Sequence, residues 1–559
     1  MRASPLAHPA AARERRLSLG SLARATPAWA ITAMLGLAYV IAAPPSTDLA
    51  AAAYRSDLFA RLGLVVWDNG WYGGHHLLAY SLLAPALGAL VGPQLLAALS
   101  MTVATALFAA LIEGHFSARP TRVASIWFAL GAAVALLANR VPFDLGLAIG
   151  LGSLLVAQSA RGGPGRCALA LLLAVLCALA SPVAGAFLAL AGLAWALAQR
   201  SAAERWLPLA LALAALAPIA ALALAFPEGG SQPFVASAFY PALAGVLLIA
   251  ALIGPEQRVL RIGALLYAAS LIGAYAIATP VGGNADRLGA LLAGPLAACV
   301  LIGSSSRTRR LLLLALAPAL LYWQANAPVT DFASAASNPA VHASYYTPLL
   351  GELQRLRIGY GARPARIEVV PTVDHFEARF LGLHVALARG WERQLDRRRD
   401  GLFYDKGSTL SASSYGSWLS QQSVSYVALS DAPLDYSAGA EARLLRGQST
   451  AGALPGYLHE VWRSAHWRLF AVRGAAALAQ APAVLASLGS DSFTLRLPHA
   501  GAYTVRVHFT PYWALASGSG CVSRAPGDWT SVQARSAGSA RVVIDFSLAR
   551  VFDHGPRCS

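Results

Sequence analysis

Ala28-Trp-Ala-Ile-Thr-Ala-Met-Leu-Gly-Leu-Ala-Tyr-Val-Ile-Ala-Ala43 is an uncharged apolar run that stops at Pro44-Pro-Ser-Thr-Asp48. Such a run is costly to leave in water and approaches the length that crosses a bilayer core. Arg2, Arg13, Arg15, Arg16 and Arg24 precede it. With no small-x-small cleavage site after Ala43 and more apolar runs to come, the start reads as a signal anchor rather than a cleaved signal peptide.

Similar runs recur at roughly 77–112, 122–138, 143–159, 167–180, 182–198, 205–226, 234–253, 259–279, 287–303 and 311–323. Of the 559 residues, 57% are hydrophobic and 13% charged, a balance that belongs in lipid. The expected fold is a polytopic α-helical membrane protein of about 11 spans with a soluble C-terminal part. The lipid bilayer is therefore its first partner. The net charge of +16 reflects loop arginines, and no basic patch interleaved with aromatics points to nucleic acid. Lys406 is the only lysine, and alanine and leucine dominate the apolar runs, as in a high-GC bacterial genome.

Arginines orient the spans. With the N-terminus cytoplasmic, the inside loops carry Arg119/Arg122, Arg161/Arg166, Arg200/Arg205, Arg258/Arg261 and Arg307/Arg309/Arg310, and the outside loops only Arg55, Arg61, Arg140 and Arg287. This holds if 77–112, interrupted at Gly92-Pro93, crosses once, its first half being interfacial or re-entrant. The chain then divides into a basic cytoplasmic tail (1–27), a transmembrane domain (28–323) with an external loop (44–76), an extracytoplasmic mixed α/β domain (324–485) and a β-sandwich-like module (486–559) of a multi-pass cell-membrane protein.

After Tyr322 charges, Ser, Thr and Tyr become frequent. Arg366-Ile-Glu-Val-Val-Pro and Ser425-Tyr-Val-Ala-Leu read as strands, and Phe380–Gln394 as a helix with an apolar stripe. Phe493-Thr-Leu-Arg-Leu, Tyr503-Thr-Val-Arg-Val-His-Phe and Ala540-Arg-Val-Val-Ile-Asp-Phe alternate between turn residues, the pattern of a small sandwich. Cys521 and Cys558 can pair in an oxidising compartment, whereas Cys167, Cys177 and Cys299 read as buried thiols in apolar runs. No Cys/His spacing suggests a metal site.

The external loop is the richest stretch: Ser46-Thr-Asp-Leu-Ala-Ala-Ala-Ala-Tyr-Arg-Ser-Asp-Leu-Phe, then Val66-Trp-Asp-Asn-Gly-Trp-Tyr-Gly-Gly-His-His. Asp48 sits just past the first span, where a lipid-linked phosphate also sits. A carboxylate there can act as general base on an acceptor hydroxyl, or help hold a divalent cation such as Mg or Mn together with Asp57 and Asp68. Tyr54, Arg55, Trp71, Tyr72, His75 and His76 are the substrate-binding candidates beside them. The plainer readings are helix caps for Asp48 and Asp57, interfacial anchors for Trp67 and Trp71, and surface histidines.

An Asp after the first span, a Tyr-Arg pair, and a Trp-rich segment ending in Gly resemble the first external loop of GT-C glycosyltransferases, with oligosaccharyltransferase catalytic subunits the nearest likeness. The features are Asp48, Tyr54-Arg55, Trp67-Asp68, Trp71-Tyr72 and Gly73-Gly74; the soluble part shows no Trp-Trp-Asp counterpart. The resemblance implies many spans, a C-terminal external domain, a polyprenyl-phosphate-linked sugar as donor, an envelope glycan or lipid as acceptor, and Asp48 as the catalytic carboxylate.

Thr279-Pro-Val-Gly-Gly-Asn-Ala-Asp-Arg puts Asn284 and Arg287 at the lip of a span, where an arginine either clamps a phosphate or ends a turn. Asn139-Arg-Val-Pro-Phe-Asp144 reads as a short loop closed by a local Arg140–Asp144 pair, with cavity lining the alternative. Asp374-His-Phe-Glu377 and Arg389-Gly-Trp-Glu-Arg-Gln-Leu-Asp396 read as helix-surface pairing, with acceptor binding the alternative. A membrane glycosyltransferase leads; a transporter or flippase of an envelope precursor and a non-catalytic envelope scaffold are the competing functions.

Overall fold

The computed structural model describes residues 28–159, 163–303, 306–361, 363–405, 407–448 and 452–558. The basic tail 1–27, Arg161 and Lys406 lie outside the described residues.

Each apolar run carries a helix: α1 Ala28–Ala42, α2 Thr47–Leu62, α3 Ala84–Val91, α4 Pro93–Glu113, α5 Ala118–Ala135, α6 Val141–Gln158, α7 Pro164–Ala180, α8 Pro182–Ala198, α9 Ala202–Ala225, α10 Ala236–Leu252, α11 Arg258–Ala276, α12 Asp286–Gly303 and α13 Arg307–Ala336. Among the described residues, seven are long and apolar enough to cross a membrane, or up to eight if α1 and α2, bent by 77°, are one broken span. Three more apolar helices, α7, α8 and α10, are shorter.

Prolines start several of these helices, where the missing N–H costs nothing. The interrupted run splits at Gly92, whose φ of +85° breaks the chain between α3 and α4. With eight residues, α3 is roughly 12 Å long and too short to cross a bilayer.

Two expectations are corrected. The last apolar helix does not stop near residue 323 but runs on to Ala336, carrying Gln324 and Asp331 on its surface. Composition changes at Tyr322 because the surroundings become polar, which does not end a helix. Phe380–Gln394 is not one helix: the structure places a helix at Phe376–Gly382, a strand at Ala386–Leu387, and a new helix at Arg393–Arg399. Trp71 packs against the non-helical stretch between the two helices, where a Cβ added at Gly390 would lie 2.5 Å from its ring.

In the 44–76 loop, β1 Trp67–Asp68 and β2 His75–His76 pair as a short antiparallel hairpin. The C-terminal part contains a five-stranded mixed sheet, ordered β4-β3-β5-β7-β6, from β3 Arg366–Val369, β4 Ala386–Leu387, β5 Val424–Ser430, β6 Leu458–Arg463 and β7 Trp467–Val472. β4, β3 and β5 are parallel, and β5, β7 and β6 antiparallel. Two four-stranded antiparallel sheets then form the expected sandwich. One is β10 Gly501–His508, β13 Trp529–Ala534, β12 Gly520–Ala525 and β15 Arg557–Cys558; the other is β11 Trp513–Ser517, β14 Gly538–Ile544, β9 Ser492–Leu497 and β8 Val484–Leu488. Cys521 and Cys558 are disulfide-bonded between β12 and β15.

The 44–76 loop is not a free appendage. One core joins Leu49, Tyr54 and Leu58 of α2 with Trp71 and Tyr72 and with Tyr346, Leu349 and Ile367 of the mixed domain. Trp67 enters the sandwich core instead. The loop therefore ties three parts together through buried apolar area.

Candidate functional site

At the elbow between α1 and α2 the backbone is held by its neighbours. Ser46 Oγ donates to the Ala138 carbonyl at 3.1 Å, Gln94 Nε2 to the Pro44 carbonyl at 3.0 Å, and Tyr39 to Asn139, which adopts φ +54° at the turn before Arg140. These bonds set Asp48, in the first turn of α2, beside Arg140 at the start of α6. From the soluble side, Thr47 Oγ1 donates to Asp374 at 2.9 Å and Trp391 Nε1 to the Thr47 carbonyl at 2.9 Å, laying the 391–394 segment over the same place.

Between them lies a cavity of about 440 Å³. Its walls are Asp48 and Arg55 of α2, Arg140 and Asp144 of α6's entry, Asn284, Asp286 and Arg287 at the start of α12, Gln324 and Asp331 of α13, and Trp391, Glu392 and Arg393 above. Helix ends thus meet a soluble-domain roof.

The charges around Asp48 are loosely paired. Its Oδ2 lies 3.4 Å from Arg140 Nε and 3.9 Å from Arg287 Nη2, while Arg140 Nη2 is 3.6 Å from Asp331. These exceed ordinary hydrogen-bond lengths, and Arg140 Nε is buried with no hydrogen-bond partner in the protein. Arg287 also sits over the Phe143 ring, 5.6 Å from its centroid. Nearby pairs are shorter: Arg55 donates to Glu392 at 2.7 Å, and Arg389 to Glu368 at 2.9 Å through Nε, although each of these guanidiniums also keeps a buried nitrogen without a hydrogen-bond partner in the protein. Burial lifts Glu392 to about 7, with Arg55 pulling it back.

A cavity holding a carboxylate between two guanidiniums with unspent donors suits an anionic group bearing a reactive centre. The local Arg140–Asp144 pair expected from sequence does not form; Arg140 reaches Asp48 and Asp331 across the cavity instead, because the Asn139 turn points it inward. Of the helix-surface pairing expected in the dense 374–396 region, Arg393 meets Asp396 one turn on at 3.5 Å, but with Asp396 buried, and most of the rest pairs across elements. His375 is buried between Glu377 at 3.3 Å and Asp435 at 3.3 Å; burial would lower it, but these two carboxylates lift it to about 9. Its ring stacks on Trp391 at 3.8 Å, so this cluster buttresses the roof.

Of the remaining candidates, Arg55, Asn284 and Arg287 reach the cavity. Asp57 instead pairs with Arg379 at 3.1 Å on an exposed flank. Asp68 is fully buried, accepting from Tyr54 at 2.7 Å and from the Gly70 amide at 2.9 Å. Trp71 stacks on Tyr54 at 4.2 Å and donates to the Ala378 carbonyl, and Tyr72 donates to Asp396 at 2.7 Å. His75 is buried and pushed down to about 3 by desolvation, and His76 lies 2.8 Å from Glu228 and 3.0 Å from Thr510.

The residues present do not fit a divalent cation held by Asp48, Asp57 and Asp68, since these three have separate partners, two of them guanidiniums for Asp48. Among the described residues no three His, Cys, Asp or Glu side chains group as a metal site. Asp331 and Gln324 were not singled out in the sequence, whereas Trp391 and Arg393 belong to the 389–396 stretch for which acceptor binding was the alternative reading. Gln324 and Asp331, two turns apart at i, i+7, nonetheless put polar groups on the one face of α13 that lines the cavity with Ala327 and Pro328.

No protein-family model matches this chain, and no curated protein sequence does. Two cryo-EM structures of the arabinofuranosyltransferase AftD from mycobacteria are similar to it at 18% identity, with TM-scores of 0.42 and 0.43. They cover 83% and 87% of this chain, which spans only 42% and 43% of theirs.

Proposed function

We propose that this chain is a GT-C-like membrane glycosyltransferase that moves a sugar from a polyprenyl-phosphate donor to an envelope glycan or lipid acceptor on the external face. The observation that carries the reading is Asp48 lying between Arg140 and Arg287 in a cavity where membrane helices meet the soluble domain. The likeness of the first external loop to GT-C enzymes supports it.

In this reading the donor phosphate sits against Arg140 and Arg287, its lipid tail passing between spans. Asp48 accepts the proton of the acceptor hydroxyl as that oxygen attacks the anomeric carbon. The bond from that carbon to the phosphate oxygen breaks, and the two guanidiniums neutralise the charge left on the polyprenyl phosphate. Trp391 offers an aromatic face to a sugar ring, and Glu392 stays paired with Arg55 to fix the roof. Asp57 and Asp68 take no part.

The test is a deletion strain complemented with wild type or Asp48→Asn at equal membrane levels. Wild type restores the missing glycan, and the variant leaves it absent while lipid-linked donor accumulates. A general base contributes about 10²–10⁴-fold. Full restoration by Asp48→Asn defeats the assignment; restored donor transport with no glycan change favours a transporter.

A further inference from the structure

The sandwich carries an apolar patch that none of the described residues covers. Leu548 is 77% exposed and Phe552 83%, within the short segment that follows β14. Phe546 beside them is also exposed.

This patch is held in place. Arg550, buried beneath it, donates from Nε to the Pro511 carbonyl at 3.0 Å and from Nη2 to the Gly555 carbonyl at 2.7 Å, and pairs with Asp553 at 2.8 Å. Arg557 pairs with Asp545 at the start of the segment. The outward apolar side chains are thus a fixed feature of the fold.

Its position names the partner. The Phe546 ring lies 5.6 Å from Phe226 and 4.9 Å from Tyr512, and Tyr512 donates to the Ala225 carbonyl at 2.5 Å. Ala225 and Phe226 end α9, a 24-residue helix long and apolar enough to span, with only 22% of its most apolar window buried within the protein. Leu224, in its last turn, is 63% exposed. The patch therefore continues the bare flank of α9 just past its end, at the level where a spanning helix leaves the hydrocarbon.

We propose that the Phe546–Phe552 segment is a membrane-seating wedge, with Leu548 and Phe552 inserted into the lipid interface beside α9. Rigid apolar groups at that depth bury area in the headgroup boundary and are favoured there. The wedge rests on α9 being a span and is independent of the transferase reading. Its role is to seat the sandwich, whose Thr510 contacts His76 of the loop behind the cavity.

The test uses the full chain in phosphatidylethanolamine/phosphatidylglycerol nanodiscs, with Cys167, Cys177 and Cys299 replaced by alanine and a spin label at Leu548→Cys, Phe552→Cys or Ala537→Cys. Ala537 is exposed at the other end of β14, seven residues and roughly 20 Å away along the strand. Leu548 and Phe552 are mostly exposed, so neither change removes a packing contact of consequence. Collisions with oxygen should exceed those with a water-soluble nickel chelate several-fold at 548 and 552, with the reverse at 537. Equal chelate access at all three sites overturns the proposal. So does shielding of 548 and 552 from both reagents, which would mark a protein contact in place of lipid.

Discussion

Trp67–His76 and the walls around Asp48 are both crowded with polar and aromatic groups, but they spend them differently. In the first, Trp67 donates to Asn69, Asn69 to Gly489, Tyr54 to Asp68, Tyr72 to Asp396, and His76 meets Glu228 and Thr510. In the second, Asp48, Arg140, Arg287 and Asp331 face one another at 3.4 to 3.9 Å across open space. Polar groups bonded to one another in this way hold a fold together, with His75, whose ring nitrogens have no partner in the protein, the exception in the first region. Charges left partly unspent in a cavity are available to a ligand.

That contrast is broken most readily by changing the cations. Arg287→Gln and Arg140→Gln should each lower transfer by about 10²-fold or more while leaving the melting temperature nearly unchanged, because removing a donor to developing charge costs roughly 3 kcal/mol of barrier. Loss of folding without a specific loss of turnover would place these arginines with the structural pairs.

Asp68→Ala should do the opposite. It leaves the Tyr54 hydroxyl and Gly70 amide without their acceptor in a sealed interior, at a cost of about 2–4 kcal/mol, with turnover per folded molecule retained. Detergent-solubilised melting curves beside activity normalised to folded protein check it.

The same residue gives a pH signature. Burial raises Asp68 from 3.8 to about 6, so the native protein binds its proton more tightly than the unfolded chain. Its contribution to stability therefore falls as pH rises from about 4 to about 6, by up to about 3 kcal/mol. Wild type should lose stability relative to Asp68→Asn across that window. A flat difference would mean the carboxylate is not sealed.

The smallest effect is expected at His75. Both ring nitrogens are buried without a hydrogen-bond partner in the protein, and the ring is neutral, stacked 5.6 Å from Trp71. His75→Phe should change stability by less than about 1 kcal/mol. A large loss of activity would return this histidine to the reaction.

Hydrophobic runs made the helices legible, and period-two alternation did the same for β9, β10 and β14. Gly92-Pro93 marked a real break. Where the reading failed, the cause was tertiary. Phe380–Gln394 had a helical stripe, but its non-helical stretch packs at Gly390 against Trp71, three hundred residues earlier. At the site, Asp48 and Arg287 were visible because each lies at the lip of an apolar run. Asp57 and Asp68 shared its composition but not its position, since the helical turn and the hairpin aim them elsewhere. Asp331 was hidden because the boundary drawn at residue 323 removed it from the membrane helix to which it belongs.

The account's central claim is tested most directly by Asp48→Asn and Asp68→Asn side by side in the deletion strain, with envelope glycan measured per folded molecule. The account predicts that Asp48→Asn makes no glycan at normal stability, while Asp68→Asn makes it at the wild-type rate per folded molecule. Normal glycan from Asp48→Asn, or its loss in fully folded Asp68→Asn, would contradict it.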